Sequence, residues 1–259
     1  MSNLETSTNQ SIDRAFLVME ELSRFKDGLG VSELSRQIDL PKSTTYRILS
    51  ALVVNGYARQ DKATERYKLG YKVLQLAGTI MENMDLRTIA RPHIEALARE
   101  TGQIVHLATM EEGVAFYVDK VHGSMMNISM YSNIGREIPL YCTGVGKILL
   151  SGIDFEEVKK LVPEESMVRY TANTITTHER LKKELELIRE RGYGFDEIEH
   201  EEDIRCVAAP IHRSTGEVVA SISLTGLIKY VSIERLPELI ELTTRTARAI
   251  SRELGYEKK

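Results

Sequence analysis

The chain has 259 residues, of which 42% are hydrophobic and 28% are charged, and its formal net charge is -4. This length accommodates two domains of ordinary size, and without a long apolar run or a basic stretch before one we expect neither a membrane span nor a signal peptide. The two cysteines, Cys142 and Cys206, lie far apart in the sequence, so we expect a reducing cytoplasm and no disulfide framework.

Three segments with helical spacing of apolar residues come first in the chain. The first ends before Asp27-Gly28 and is predicted from residues three and four apart, namely Ile12, Ala15, Phe16, Met19 and Leu22. The second, VSELSRQI, places Val31, Leu34 and Ile38 on one side. The third opens with Pro41, which suits the first position of a helix because no N–H is needed there. Its predicted buried stripe is Ile48, Leu49, Leu52 and Val53.

The third helix keeps polar residues at its N-terminus and opposite its apolar stripe. These residues are Lys42, Ser43, Thr44, Thr45, Tyr46, Arg47 and Ser50, and all but the last are candidate DNA contacts. Two helices joined by a short turn, the second polar at its start, are typical of a helix-turn-helix motif. We expect the small side chains to allow close approach to DNA, and the lysine, tyrosine and arginine to reach phosphates or base edges.

A hairpin is predicted directly after these helices. Residues 57–60 and 66–69 are short extended segments on either side of a polar turn, and a hairpin in this position is the wing of a winged helix. Its candidate phosphate contacts are Arg59, Lys62, Arg66 and Lys68. Residues 40–72 hold seven basic and two acidic residues, a net charge of +5 in an otherwise acidic chain. This basic patch favours DNA as the partner over protein, the alternative partner of winged helices.

The rest of the chain mixes helices and strands. Residues 71–84 are predicted to be helical, and so are residues 85–100, with a break near Arg91 because Pro92 follows. Three β-rich runs come next, QIVHLATM, GVAFYVDKV and NISMYS, and then helical segments at residues 144–150, 155–161 and 178–191. Strands return at CVAAPIH and EVVASISLTG, and a last helix is predicted at residues 233–254. This order predicts an α+β domain with an antiparallel sheet covered by helices.

Two features of this second domain indicate a small-molecule site. In EVVASISLTG the hydroxyl residues Ser221, Ser223 and Thr225 share one face of the strand, which either faces water or lines a site. In CTGVGKILL, Thr143 is placed to cap a helix whose first N–H groups, at residues 144–146, remain free for a carboxylate or phosphate. The alternative is that the glycines only allow tight packing.

The alternative function for this domain is that of an enzyme or a metal-binding protein. Its candidate residues are Cys142, Cys206, His106, His200 and Asp196. None of them has the spacing of a nucleophile–base or metal motif. His200 lies in the acidic run EIEHEEDI, which we interpret as a solvated loop. We therefore expect no catalytic site, no cofactor and no metal ligands, and a structural metal held by some of these side chains is the alternative left open.

Six segments together resemble the isocitrate lyase regulator (IclR) family of bacterial transcription factors, in order and over nearly the whole chain. They are SIDRAFLVMEEL, ELSRQIDLPKSTTYRILSALVVNGYARQD, RYKLGYKVLQL, PLYCTGVGKILLS, RGYGFDEIEHEEDIRCVAAPI and GEVVASISLTG. The resemblance implies a winged helix-turn-helix domain at residues 1–70, a linker helix at residues 71–84 and a GAF-like effector-binding domain at residues 85–259. It also implies a homodimer joined through the N-terminal domains, and often a tetramer.

The resemblance further implies a ligand-responsive regulator, by family habit a repressor, of a catabolic operon. Its partners would be double-stranded operator DNA, a small organic acid and a second copy of itself, with no membrane. The residues that match the effector pocket of the family are Met130, Gly144, Val145, Asp196, Ile204, Cys206, Ser223 and Thr225. The helix start would supply amide donors for the carboxylate of the acid, and the hydroxyl pair would bond its other oxygens. Met130 and Ile204 would line the walls.

Overall fold

The computed structural model describes residues 9–82, 85–124 and 133–257. The chain divides into two compact units, Met1–Asn83 and Met84–Lys259. In the part of the chain that the structure describes, no helix is both long enough and apolar enough to cross a membrane. The run NISMYS and the candidate residue Met130 lie outside the described residues.

The N-terminal unit is built from helices α1 to α4 and one hairpin. In chain order its elements are α1 (Gln10–Ser23), α2 (Val31–Gln37), α3 (Lys42–Val54), β1 (Ala58–Gln60), β2 (Tyr67–Leu69) and α4 (Tyr71–Glu82). The two strands pair antiparallel, with Ala58 opposite Leu69. Its core consists of Val18, Leu22, Leu29, Leu34, Ile38, Leu49, Leu52, Ala58 and Tyr67. The predicted winged helix-turn-helix arrangement is confirmed.

The buried faces of α1 and α3 differ from the predicted ones. Ile12 and Phe16 are 49% and 56% exposed, whereas Val18 is fully buried. Phe16 and Val18 are two positions apart and therefore point to opposite sides of a helix with 3.6 residues per turn. In α3, Val53 is predicted to be buried but is 37% exposed. Thr45, which is fully buried, belongs to the buried stripe instead. A core made by three short helices contacts only a narrow stripe of each, so apolar spacing alone does not decide which stripe is buried.

The C-terminal unit is an antiparallel sheet between two layers of helices. In chain order it contains α5 (Asp85–Thr101), β3 (Ile104–Glu111), β4 (Val114–Val121), α6 (Gly144–Ser151), α7 (Phe155–Leu161), α8 (His178–Arg191), β5 (Gly194–Glu197), β6 (Ile204–His212), β7 (Val218–Leu227) and α9 (Leu236–Glu253). The strand order is β4-β3-β7-β6-β5, and every pair is antiparallel. The predicted α+β fold is confirmed, and the sequence did not predict β5, a four-residue edge strand.

The two faces of the sheet carry separate apolar cores. On one face, apolar residues of β3, β6 and β7 pack with α5 and α9, as Leu107, Ile222 and Leu239 do. On the other face, residues such as Ala108 and Ala208 pack with α6, α7 and α8. Both faces of β7 are therefore buried. The hydroxyl face, formed by Ser221, Ser223 and Thr225, lies inside the protein and not in water.

Helix α5 continues through Pro92, so the predicted break near Arg91 is wrong. A proline inside a helix removes one backbone hydrogen bond and costs about 3 kcal/mol or more. Here Ala90 and Ile94 are both fully buried on either side of the proline, and Leu97 is buried in the following turn. Because burial of each large apolar side chain stabilises the fold by about 1.5–3 kcal/mol, packing on the sheet outweighs the local defect.

Candidate functional sites

The N-terminal half of α3 presents a polar surface. Lys42, Ser43, Tyr46 and Arg47 are exposed, and Thr44 is half-buried. The Ser50 hydroxyl donates to the carbonyl oxygen of Tyr46 at 2.8 Å. A helix with this combination of basic and small side chains fits the major groove of DNA, which is about 12 Å wide.

Thr45 does not belong to this surface, although the sequence placed it among the DNA contacts. It is fully buried, and its hydroxyl donates to the carbonyl oxygen of Pro41 at 3.2 Å. Thr45, Leu49 and Leu52 are spaced by four and three residues and share the buried stripe of the helix. We therefore correct the candidate surface of α3 to five residues, without Thr45.

The hairpin carries two kinds of basic residue. Arg59 and Lys62 are exposed, and Lys68 is half-buried. Arg66 is engaged within the protein, because its Nε donates to the carbonyl oxygen of Gly28 and its Nη2 pairs with Glu33, both at 3.0 Å. Arg66 thus attaches the hairpin to α2, whereas its predicted role is phosphate binding.

A threonine cap prepares the start of α6. The Thr143 hydroxyl oxygen accepts from the N–H of Gly146 at 3.1 Å and donates to the carbonyl oxygen of Pro139 at 2.8 Å. The N–H of Gly146 is therefore used by the cap, contrary to the expectation that it stays free. The N–H groups of Gly144 and Val145 have no acceptor among the described residues. They are the first two donors of the helix and carry its partial positive charge.

Both glycines allow close packing at the start of α6. A Cβ on Gly146 would lie 2.6 Å from the carbonyl oxygen of Leu140, so this glycine allows close packing. A Cβ on Gly144 would lie 3.1 Å from Cβ of Ala208 and 3.5 Å from the backbone nitrogen of Asp196. Gly144 therefore brings the start of α6 against β5 and β6.

Seven of the eight predicted effector residues line one buried cavity, and the eighth, Met130, lies outside the described residues. The seven are Gly144, Val145, Asp196, Ile204, Cys206, Ser223 and Thr225. We call this space the inner cavity; its volume is about 20 Å³, room for about one water molecule. An organic acid enters it only if side chains around it shift.

Strand register brings these residues together. Asp196 on β5 lies opposite Cys206 on β6, and Cys206 lies opposite Thr225 on β7. His106 on β3 lies opposite Ser223, the other hydroxyl of the pair. His106, Tyr117, Thr143, His200 and Glu201 complete the lining. The sequence did not single out Tyr117 or Glu201, because their relation to the other residues depends on pairing between distant segments.

The hydroxyls of the inner cavity form a hydrogen-bonded group. The Thr225 hydroxyl donates to the sulfur of Cys206 at 3.2 Å and lies 3.3 Å from the Ser223 hydroxyl. Both hydroxyls lie within 3.4 Å of Nδ1 of His106. Burial lowers the pKa of His106 to about 3. The imidazole is therefore neutral near pH 7 and orients the hydroxyls as a polar, uncharged partner.

The acidic run around His200 is solvated only in part: Glu197, Glu202 and Asp203 are exposed as predicted, whereas Glu199 is buried. Asp196 and Glu199 are 3% and 5% exposed, and Oδ1 of Asp196 accepts from the N–H of Glu199 at 2.7 Å. The Glu199 carboxylate pairs with the ammonium group of Lys147, a fully buried residue of α6. Burial raises the pKa of Asp196 to about 7, and burial also raises the pKa of Glu199, which Lys147 opposes.

The cysteines lack the features of a nucleophile. Both are free and buried, and burial raises the pKa of each thiol above its ordinary value. A thiol must ionise to act as a nucleophile or to bind a metal. Within the described residues, no three or more histidine, cysteine or acidic side chains converge as a metal site would require.

Comparison with known proteins gives matches along nearly the whole chain. Residues 11–62 match the model of the IclR helix-turn-helix domain, and residues 78–252 match that of the bacterial transcriptional regulator IclR C-terminal domain. The HTH-type transcriptional regulator KdgR of Escherichia coli K12 is 37% identical over 95% of this chain and 93% of its own length. The HTH-type transcriptional repressor AllR of the same strain is 30% identical over 96% of this chain and 91% of its own length.

A solved structure shares the fold. The IclR homologue of Microbacterium hydrocarbonoxydans, in complex with 4-hydroxybenzoate, superposes with a TM-score of 0.79 at 23% identity. The superposition covers 95% of this chain and 99% of that chain.

Proposed function

Because the chain belongs to the IclR family of bacterial transcriptional regulators, we propose that it represses a catabolic operon and responds to a small organic acid. The chain is a DNA-binding regulator and not an enzyme. One observation supports the proposal that the ligand is an acid. The unused N–H groups of Gly144 and Val145 converge with the hydroxyls of Ser223 and Thr225 in a single buried cavity.

The chemistry of this cavity suits a carboxylate. Amide N–H groups at the start of a helix bind anions, because the donors and the helix dipole both favour negative charge. The hydroxyls of Ser223 and Thr225 are placed to bond further oxygen atoms, and Asp196 takes part as a proton donor when protonated. Ile204 supplies apolar contact, and the sulfur of Cys206 accepts from the Thr225 hydroxyl. The Microbacterium relative binds 4-hydroxybenzoate, itself an organic acid, which supports the same class of ligand here.

The DNA-binding surface in this proposal combines α3 with the hairpin. Its residues are Lys42, Ser43, Thr44, Tyr46 and Arg47 on the helix, and Arg59, Lys62 and Lys68 on the hairpin. The helix reads base edges in the major groove and the hairpin contacts phosphates. One such surface contacts a half-site only, so the active species is a homodimer on a near-palindromic operator, or a tetramer built from dimers.

The two units have different roles in this proposal. Residues 1–70 bind operator DNA, residues 71–84 form a linker helix, and residues 85–259 bind the effector. The acid must bind the DNA-bound and released states with different affinity, because a ligand with equal affinity for both shifts nothing. Action on operator DNA places the protein in the bacterial cytoplasm.

A thermal-shift panel of small organic acids tests the ligand site. We expect at least one acid to raise the melting temperature of the wild type, because a ligand bound only to the folded state stabilises it. Ser223→Ala should lose this rise. The matched control is Ser221→Ala on the same strand, whose hydroxyl donates to the carbonyl oxygen of Ala209 outside the inner cavity. If no acid shifts the wild type, or if both variants respond alike, the cavity is not the effector site.

Operator binding tests the surface of α3. Arg47→Ala should weaken operator binding, because a basic contact to base edges in the major groove is lost. Arg245→Ala on α9 is the matched control, since it removes the same charge from a half-exposed arginine of the other unit. Fluorescence anisotropy with labelled operator DNA measures both. Equal affinities for the two variants would remove Arg47 from the DNA-binding surface.

A further inference from the structure

A second, larger cavity lies beside the inner one. We call it the outer cavity; its volume is about 570 Å³, within the range of small-molecule sites. Three residues line both cavities, namely Tyr117, His200 and Glu201. The inner cavity alone has room for little more than a water molecule, whereas the outer cavity has room for a ligand of several carbon atoms.

Side chains form the partition between the two cavities. The Tyr117 ring lies 4.9 Å from the His106 ring on the inner side, and the His200 ring lies 5.0 Å from the Tyr170 ring on the outer side. The third member of the partition, Glu201, is half-buried. Because side chains form this boundary, rotamer changes join the cavities without a change in the sheet.

The charges around the outer cavity favour one kind of ligand. Arg136 is the cation in its lining, and Glu137 and Glu201 are the carboxylates. Burial and the nearby charge of Arg136 lower the pKa of His200, so this imidazole is neutral near pH 7. A second carboxylate on a ligand would therefore lie near two carboxylates and one guanidinium of the protein, so that repulsion outweighs attraction. Hydroxyl groups would find acceptors in the carboxylates and donors in the guanidinium.

Further polar groups of the outer cavity suit the same chemistry. Tyr170 is 46% exposed, and its phenol is able both to donate and to accept. Tyr141 and Ser166 also line the cavity, although their hydroxyls already donate to carbonyl oxygens, of Val168 at 2.8 Å and of Pro163 at 2.7 Å. The Ser166 oxygen keeps acceptor capacity for a ligand hydroxyl, whereas the Tyr141 hydroxyl also bonds to that of Tyr170.

We infer that the effector is a polyhydroxylated monocarboxylic acid that spans both cavities. Its carboxylate binds the N–H groups of Gly144 and Val145 in the inner cavity. Its hydroxylated carbon chain passes between Tyr117 and His200 and bonds Arg136 and Tyr170 in the outer cavity. This inference rests on the proposed function, since it extends the same effector site and names its ligand class.

Isothermal titration of the full-length protein with four acids tests this inference. Glycolate is a short hydroxy acid that reaches only the inner cavity, and D-gluconate has six carbons, one carboxylate and five hydroxyls. Hexanoate matches its length without hydroxyls, and D-glucarate matches it with a second carboxylate. We expect gluconate to bind at least tenfold more tightly than each of the other three acids.

Variants locate the hydroxylated chain. Arg136→Ala should weaken gluconate at least tenfold and leave glycolate unchanged. Tyr170→Phe removes a single hydroxyl, so it provides a second measurement if the arginine variant folds poorly. We expect this variant to weaken gluconate binding threefold or more. Ser223→Ala should weaken both acids, because its hydroxyl belongs to the inner cavity.

The outcomes separate this inference from the proposed function. If none of these acids binds, nor any in the thermal-shift panel, the proposed function fails and the inference fails with it. If glycolate binds through Ser223 and gluconate binds no more tightly, the proposed function stands and the inference is wrong. Gluconate affinity unchanged by both outer variants would also overturn it. Tighter binding of glucarate or hexanoate would overturn the ligand class.

Discussion

Replacing Asp196 with asparagine should make the stability of the protein less dependent on pH. Asp196 is 3% exposed, and its Oδ1 accepts from the N–H of Glu199 at 2.7 Å. Asparagine keeps an oxygen acceptor at the same place but removes the ionisation. Burial raises the pKa of Asp196 to about 7 in the folded protein, whereas an aspartate in an unfolded chain titrates near 3.9.

These two pKa values determine whether the stability of the wild type rises or falls with pH. The folded state holds the proton more tightly, so the contribution of Asp196 to stability is complete below about pH 4 and is lost as pH rises through 7. Between pH 5 and pH 7 the wild type should lose about 2 kcal/mol of unfolding free energy relative to Asp196→Asn. Above pH 8 the difference should level off, because the carboxyl is then ionised in both states.

Urea unfolding of both full-length proteins from pH 5 to pH 8, followed by circular dichroism, measures this difference. Subtracting the variant from the wild type cancels the titration of shared groups whose pKa does not depend on the charge of Asp196. Glu241→Gln, at an exposed position of α9, is the matched control and should run parallel to the wild type. If the Asp196→Asn curve also runs parallel, the carboxyl is ionised throughout, and the reasoning from burial is refuted.

Three further substitutions probe the start of α6 and the hairpin. Thr143→Ala should lower the unfolding free energy by about 1 kcal/mol, because the N-cap is lost; thermal unfolding measures it, and an unchanged melting temperature would contradict the cap. Gly146→Ala should lower the unfolding free energy more than Thr143→Ala does, because the new Cβ would lie 2.6 Å from the carbonyl oxygen of Leu140. A smaller decrease would show that the backbone at the start of α6 shifts to make room for the Cβ. Arg66→Ala should speed amide hydrogen exchange in the hairpin, because its pairing with Glu33 is lost; exchange at the wild-type rate would leave Arg66 free for DNA.

Local sequence patterns determined most of the secondary structure. Apolar spacing and turn residues located α2, α3 and α6 to α8 within about one residue of their observed bounds. Hydroxyl alternation in β7 identified the face that carries Ser223 and Thr225, and the threonine before two glycines located the helix start that carries the free N–H groups. Each of these signals depends on residues close in sequence, and a single sequence contains all of that information.

Tertiary structure decided which face of each helix is buried and which residues it contacts. Thr45 is polar yet buried, and Phe16 is apolar yet exposed, because the stripe each helix buries depends on its neighbours. Pro92 lies inside an unbroken helix because packing on the sheet outweighs a local defect. Likewise, Glu199 is buried within an acidic run because Lys147 of α6, distant in sequence, pairs with it.

The inner cavity shows most clearly which features depend on local sequence and which depend on tertiary structure. The sequence supplied a capped helix start and a pair of hydroxyls, and the family resemblance added Asp196 and Cys206. Only the pairing of β5, β6 and β7 sets Asp196, Cys206 and Thr225 side by side. Strand register joins segments far apart in the chain, and the energy that fixes it comes from burial on both faces of the sheet, which no local pattern contains.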